Sequence, residues 1–429
     1  VRTGRVRIAV TGMGVRTTAG AHPKELWNAL LAGRSTARPI TSFDTEGLGV
    51  RFACQIADLD TSAYLTPKQA SRLDRVARLA LCAATDALAD ARAGSGSGSG
   101  SGAGDGDGDG DGVAGTPPER RAVVTGVALG GRTTDEAGML AGRYPGRGNP
   151  GPLHVPMIMH NSAAAAIGIH HRIQGPSLSV ETACASGAHA IGEAARLLRD
   201  GSADLVVAGG AEACVTPTVL LAFHRCQALS LRNDDPERAS RPFDRDRDGF
   251  VLAEGAAFLV LENLEHALRR DARIHAELTG YATTSDAHHL TAPPPDGEGA
   301  ARCMRAALAD AGLSPVEIAH VNAHGTGTPL NDVAEARAIS AVFGPAGVPV
   351  TSIKGVTGHA IAAAGAIEAV AAVLSMNERA IPPTANLDHL DPACDVDVVG
   401  RVRPMPPGPV LSNSFGFGGH NATLIFSPH

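Results

Sequence analysis

A layered α/β fold is what the sequence predicts, on three observations. Ala203-Asp204-Leu205-Val206-Val207-Ala208-Gly209-Gly210 is an almost unbroken apolar run of strand length, the pattern of a strand buried on both faces. Such runs alternate with helical stretches rich in alanine and glycine along most of the chain. With 429 residues, 44% of them hydrophobic and 19% charged, the chain can build two or three ordinary domains or one large fold of two halves.

The elements follow in order. Arg5 to Val10 reads as a first strand ended by the glycines of Thr11-Gly12-Met13-Gly14, and Pro23 to Leu31 as a surface helix stopped at Gly33. A second helix is predicted from Pro67 to Ala91. On it Lys68, Arg72 and Arg75 share a face, which would suit an acidic partner, although a merely solvated face is the simpler reading. Residues 94–112, glycine with serine and then aspartate, cannot bury apolar area and predict a flexible insert. Its aspartates lack the apolar positions of a calcium β-roll.

Beyond the insert come a strand at Arg121 to Gly126, a small-residue helix from Ala163, and a strand at Ser177 to Val180. A helix from Ala188 to Arg199 precedes the apolar strand described above. The acidic run from Asp244 imitates a calcium loop, yet its twelfth position is Gly255, so that reading fails. Phe250 to Leu252 and Ala256 to Leu261 read as paired strands. The second half has strands at Ala276 to Tyr281, His320 to Asn322 and Val348 to Ile353. Helices at Ala300 to Ala311, Asp332 to Val342 and Ala360 to Met376 accompany them, and a hairpin of Val410 to Ser414 with Asn421 to Phe426 closes the chain. Two βαβ-type halves are expected, residues 1–270 and 271–429, although no repeat is visible in the sequence itself.

A net charge of −7 argues against a nucleic-acid binder, and no run approaches the ~18 apolar residues of a membrane-spanning helix. The N-terminal apolar run is too short for a signal peptide. Seven cysteines, an odd number with no C-x-x-C pair, predict a reduced chain and hence a cytoplasmic one.

The chemistry centres on Thr182-Ala183-Cys184-Ala185-Ser186-Gly187. Cys184 stands where a strand meets a helix, and a helix start favours thiolate over thiol, so a lowered pKa is expected. A lone buried cysteine is usually structural. Two histidines on glycine-rich loops answer this one: His324 in Asn322-Ala323-His324-Gly325-Thr326-Gly327-Thr328-Pro329, and His359 in Ile353-Lys354-Gly355-Val356-Thr357-Gly358-His359. A helix beginning after His359 would keep its ring neutral. The spacing of Cys184 and His324 also allows a cysteine hydrolase, but the surround of the papain-type nucleophile is absent.

These motifs, with Ala362-Ala363-Ala364-Gly365-Ala366-Ile367-Glu368-Ala369 and the terminal Asn413-Ser414-Phe415-Gly416-Phe417-Gly418-Gly419, resemble the β-ketoacyl synthases over nearly the whole chain outside the insert. The resemblance implies a thiolase-like αβαβα layered fold of two related halves, the first carrying the cysteine and the second the histidines. Arg232 to Glu237, Arg241 to Asp244 and Gly280 to Thr283 look closest to ketosynthase subunits of actinobacterial type II polyketide synthases. Around the nucleophile and the terminal glycine loop the sequence resembles fatty-acid elongating synthases more than aromatic polyketide ones, although His420 stands where those enzymes usually carry threonine, so elongation in fatty-acid synthesis is the alternative. A non-catalytic chain-length partner would have no use for Cys184 and both histidines.

By resemblance, Cys184 would carry an acyl chain, and His324 and His359 would promote decarboxylation of a malonyl unit. Lys354 paired with Glu368 would hold the histidine loop. The Phe415 N–H would join that of Cys184 in an oxyanion hole, and Phe415 would also gate the acyl pocket. Thr326 and Thr328 would bind the phosphopantetheine arm, and Leu129 and Phe223 would line the pocket. No metal and no free cofactor are implied, since phosphopantetheine arrives on an acyl carrier protein. The implied partners are that carrier and a chain length factor in a heterodimer, or else a second copy of the chain.

Overall fold

A computed structural model describes residues 6–93, 115–143 and 151–429. The insert at 94–112 lies outside the described residues. Eleven strands form the main framework: β1 (Ile8–Arg16), β2 (Arg121–Gly126), β3 (Ser177–Val180), β4 (Leu205–Glu212), β5 (Gly255–Asn263), β6 (Ala276–Ser285), β7 (His320–Asn322), β8 (Pro349–Thr351), β9 (Asp397–Val398), β10 (Val410–Gly416) and β11 (His420–Ser427). The helices that matter for the site are α1 (Pro23–Ala32), α2 (Arg75–Ala93), α3 (Ser162–His170), α4 (Ser186–Arg199), α5 (Pro217–Arg225), α6 (Glu298–Ala311), α7 (Pro329–Phe343) and α8 (Ala364–Asn377).

The strands run in the order β9-β8-β7-β10-β11-β6-β1-β5-β4-β2-β3. At its middle, among the described residues, the strand pairing of this sheet narrows to Ala9 opposite Glu277 and Val10 opposite Ala276. On either side of that seam the two halves repeat each other. In the first, β2 is parallel to β3 and β4, while β5 is antiparallel to β4 and β1. In the second, β7 is parallel to β8 and β10, while β11 is antiparallel to β10 and β6. Both halves therefore have one strand order and one set of directions, with β9 added at an edge.

Helices α4 and α8 lie between the halves. Helix α4 packs on β4 and β2, α8 packs on β10 and β5, and the two touch each other. A helix covered on both sides has no solvent face, which is why α8 is buried without interruption from Ala364 to Met376, with its one charged side chain, Glu368, paired to Lys354. Their crossing is reciprocal. A Cβ on Gly187 would lie 2.7 Å from Ala362 O, and one on Gly365 would lie 2.9 Å from Ala188 N. The outer faces are covered by α2 over β1 and β5, and by α6 over β6 and β11. The five layers expected of the thiolase-like fold are thus present.

The turns leading into the central helices repeat as well. Ala183 (φ 51°) opens a 3-10 turn, Ala183–Ala185, before α4, and Ile361 (φ 46°) opens another, Ile361–Ala363, before α8. Ala362 therefore stands in the second half where Cys184 stands in the first.

Four local expectations are corrected. Strand β1 does not turn at its glycines but runs through to Arg16. Cβ atoms on Gly12 and Gly14 would lie 2.1 Å and 2.0 Å from carbonyl oxygens of α2, so those glycines serve close helix packing. The helix predicted from Pro67 to Ala91 is two helices, Pro67–Ala70 and α2, separated by Ser71 to Asp74. The Asp74 carboxylate accepts from Val76 N at 2.9 Å and from Thr133 Oγ1 at 2.6 Å, which fixes the new start. Lys68, Arg72 and Arg75 consequently share no helical face, and Arg75 turns inward to Glu254. Phe250 to Leu252 do not pair with β5, whose two edges are taken by β1 and β4, and make only isolated bridges elsewhere. The helix predicted from Ala360 begins as the 3-10 turn and becomes α-helical at Ala364.

Candidate active site

One cavity of about 520 Å³ gathers most of the residues singled out from the sequence. Cys184, His324, His359, Phe415, Thr326, Thr328, Leu129 and Phe223 all line it, although they come from both halves and are separated by up to 286 residues. Lys354 and Glu368 stand behind it, each 1% exposed.

Cys184 lies in the turn before α4 and is 9% exposed. Burial pushes its thiol up to about 12, although the Lys354 charge and a hydrogen bond from the Phe417 N–H pull the other way. The lowered pKa expected at a helix start is therefore overturned, because desolvation of a thiolate outweighs the favourable dipoles. The resting sulfur is a neutral thiol.

His324 is fixed by its backbone and by Lys354. The Glu335 carboxylate accepts from His324 N at 2.8 Å and from Gly325 N at 2.7 Å, holding the loop where Gly325 takes φ 37°. Lys354 Nζ donates to His324 O at 2.5 Å, pairs with Glu368, and lies 3.3 Å from His324 Nδ1. An ammonium has no lone pair to offer, so Nδ1 acts as acceptor and the ring proton belongs on Nε2. Burial pushes both Glu368 and Glu335 up to about 7 despite the lysine.

His359 is held differently. Its N donates to Val251 O at 2.8 Å and its O accepts from Ala253 N at 2.9 Å. Its ring stands edge-on to His324, centroids 5.3 Å apart, and edge-on to Phe250 at 5.0 Å. Both histidines are driven well below the usual imidazole range, by burial first and then by the Lys354 charge. The neutral ring expected for His359 is present, but burial and not a helix start is its main cause.

The glycine loop corrects one assignment. The N–H directed at the Cys184 sulfur is that of Phe417, whereas Phe415 is paired with Asn421 in the β10–β11 hairpin and turns its ring toward His324 at 5.7 Å. Counting from the end of the strand could not tell these two phenylalanines apart. Gly416 between them is obligatory, since a Cβ there would lie 2.5 Å from Thr182 O. Phe417 also approaches Phe223 of α5, with ring centroids 6.4 Å apart, across the cavity wall.

Thr326 and Thr328 join their hydroxyls at 2.9 Å. Their loop is pinned by Asp332, which accepts from Gly327 N at 3.1 Å and Phe243 N at 2.8 Å and lies 3.6 Å from Arg247. Leu129 follows Ala128, whose N–H donates to Glu212 at 3.1 Å. Glu335, Asp332, Phe417 and the Val251–Ala253 strip were missed in the sequence. The two acids looked like ordinary helix charges, and the strip holds a histidine, His359, that is far away along the chain. Among the described residues no group of three or more histidine, cysteine or acidic side chains is placed to hold a metal ion.

A strained turn presenting a thiol, two neutral histidines and a backbone N–H aimed at the sulfur make a candidate centre for thioester chemistry. The chain belongs to the β-ketoacyl synthase family: the Beta-ketoacyl synthase N-terminal domain matches residues 5–267 and the C-terminal domain residues 275–388. It is an acyltransferase-type condensing enzyme. It is 42% identical, over 99% of its length and 98% of the relative's, to 3-oxoacyl-[acyl-carrier-protein] synthase 2 of Synechocystis. Among solved structures it resembles the ishigamide ketosynthase/chain length factor at 37% identity and a TM-score of 0.87, covering 99% of this chain and 100% of that one. It also resembles a type II PKS ketosynthase bound to its acyl-carrier protein and the hexaketide, at 32% identity and a TM-score of 0.86, covering 99% and 100%.

Proposed function

We propose that this chain is an elongating β-ketoacyl-acyl carrier protein synthase of type II polyketide biosynthesis. The observation that carries the chemistry is the meeting of Cys184, His324 and His359 in one cavity, with the two neutral rings 5.3 Å apart. The Cys184 sulfur attacks the thioester of an acyl carrier protein, the carrier thiol leaves, and the thiol proton is passed to it. A malonyl carrier then replaces the first. Its carbon–carboxylate bond breaks, carbon dioxide departs, and the electron pair becomes an enolate stabilised by hydrogen bonds from His324 and His359. The enolate carbon attacks the acyl-Cys184 carbonyl, the carbon–sulfur bond breaks, and the sulfur regains a proton from solvent.

The N–H groups of Cys184 and Phe417 would receive the oxyanion of each tetrahedral intermediate. Lys354 with Glu368 would position His324, and Thr326 with Thr328 would take the phosphopantetheine arm. Leu129 and Phe223 would bound the acyl chain, and the rings of Phe415 and Phe417 would control access to it. No metal or free cofactor enters this scheme. Seven unpaired cysteines support a reducing, cytoplasmic setting.

The polyketide reading is supported by the likeness to the type II PKS ketosynthase, and a chain length factor as the heterodimer partner by the likeness to the ishigamide ketosynthase/chain length factor. Fatty-acid elongation is the second reading, supported by the likeness to the Synechocystis 3-oxoacyl-[acyl-carrier-protein] synthase 2. Intact-protein mass spectrometry after mixing with an acyl carrier thioester should show an acyl-sized gain that Cys184→Ala abolishes. Its absence in a folded protein, both alone and with a chain length factor added, would refute the synthase reading. Condensation by the chain alone, without a chain length factor, would favour the fatty-acid reading. Replacement of either histidine by alanine should spare acylation and remove condensation.

A further inference from the structure

We propose that Arg75 and Glu254 form a positioning pair that holds His359 for the decarboxylating half of the reaction. The inference rests on the role given to His359 above. Nothing polar orients the His359 ring at Nδ1, which is buried and has no hydrogen-bond partner among the described residues. Its neighbours are the edges and faces of Phe250 and His324. Where the ring sits is therefore decided by the backbone beneath it and by the packing of Phe250.

Both of those belong to one strip, Phe250 to Glu254. Val251 O receives the His359 N–H at 2.8 Å, and Ala253 N donates to His359 O at 2.9 Å. The strip is not part of a sheet ladder and joins its neighbours only by isolated bridges. Its opposite edge is held by Cys54, whose N donates to Leu252 O at 2.8 Å and whose O accepts from Glu254 N at 3.1 Å. Gly358, at φ 68°, allows the contact, since a Cβ there would lie 2.8 Å from Cys54 Sγ.

Glu254 is the fastening at the end of this strip. Its carboxylate, 2% exposed, accepts from Arg75 Nε at 2.9 Å, from Arg75 Nη2 at 2.6 Å and from Ile56 N at 2.8 Å. The same guanidinium also donates to Ile56 O, so a single planar fork ties α2 to the strip and to the segment beside it. Cys184 is carried by a different turn, and His324 by Glu335 and Lys354. A disturbance at Glu254 thus reaches His359 first and leaves the other two groups on their own supports.

The experiment separates the two half-reactions. Acylation of Cys184 is followed by intact mass and carbon dioxide release from a malonyl carrier thioester by trapping, in the wild type, Glu254→Gln, Arg75→Lys, the double variant Arg75→Gln/Glu254→Gln, and His359→Ala. Glu254→Gln is expected to lower decarboxylation on the order of tenfold or more, as a misplaced reacting group does, with acylation within about twofold of wild type. Arg75→Lys, which keeps the charge but loses the fork, should fall between, and the neutral double variant should recover part of the loss. A parallel fall of both half-reactions, or unchanged decarboxylation in both Glu254→Gln and Arg75→Lys, would overturn the proposal. If His359→Ala itself decarboxylates normally, the assigned role of His359 fails, whatever Glu254→Gln does.

Discussion

His320 sits on β7 at 1% exposure with neither ring nitrogen hydrogen-bonded among the described residues, and burial alone pulls its pKa down to about 3. A lowered pKa means the unfolded chain binds the proton more readily. Stability from this group is full above the unfolded value near 6.5 and is lost as pH falls below it. At pH 5 the loss is about 2 kcal/mol for a ring that stays neutral when folded. His320→Leu should remove that loss, so denaturant unfolding at pH 5 and pH 8 should show a smaller acid deficit in the variant than in wild type. The Cys184 thiol behaves in the opposite direction: its pKa is raised, so the stability it lends is present below about 9 and is lost as pH climbs toward about 12. A neutral, buried thiol also reacts slowly with general thiol reagents. Cys226 lines the same cavity and is the exposed one of the seven cysteines. Brief alkylation at pH 8 followed by peptide mapping should find Cys226 modified before Cys184.

Helices α4 and α8 meet through Gly187 and Gly365, where backbone touches backbone. Gly187→Ala inserts a methyl where Ala362 O and Ala366 N already stand and should cost about 1–3 kcal/mol through overpacking. Gly201, with φ 77° and nothing within 4 Å of a built Cβ, offers a control in which only backbone strain is added. Thermal unfolding should rank Gly187→Ala below Gly201→Ala, and a reversal would count against tight packing at the crossing. At this scale the sequence was a good guide wherever a pattern was local. The termination of α1 at Gly33 and the strand β4 fell where periodicity and apolar runs put them. It misled where a residue served a distant partner. Gly12 and Gly14 look like a turn until α2 is laid across them, and Asp74 looks like mid-helix charge until Thr133 arrives to share it. Phe415 and Phe417 differ only in which lies on the paired strand and which on the loop, a distinction set by β11.

Between the halves, the sheet seam is two residue pairs wide, yet α4 and α8 pack on strands of both halves and on each other. The central layer belongs to neither half alone, so the chain should unfold as one cooperative unit. Calorimetry is expected to give a single transition whose calorimetric and van't Hoff enthalpies agree, and two resolved transitions would show that the halves fold separately. The repeat of strand order across the seam left no trace in the sequence because strand order is a matter of pairing partners, which apolar patterns do not specify. What the repeat does leave is a pair of equivalent positions with different contents: Cys184 at 9% exposure in one half, Ala362 at 0% in the other. Two copies of a half-length chain about a two-fold axis would be bound to carry a thiol at both positions or at neither. Joining the copies in one polypeptide lifts that obligation, so one side can keep the thiol while the other carries the histidines, an asymmetry that identical subunits could not have.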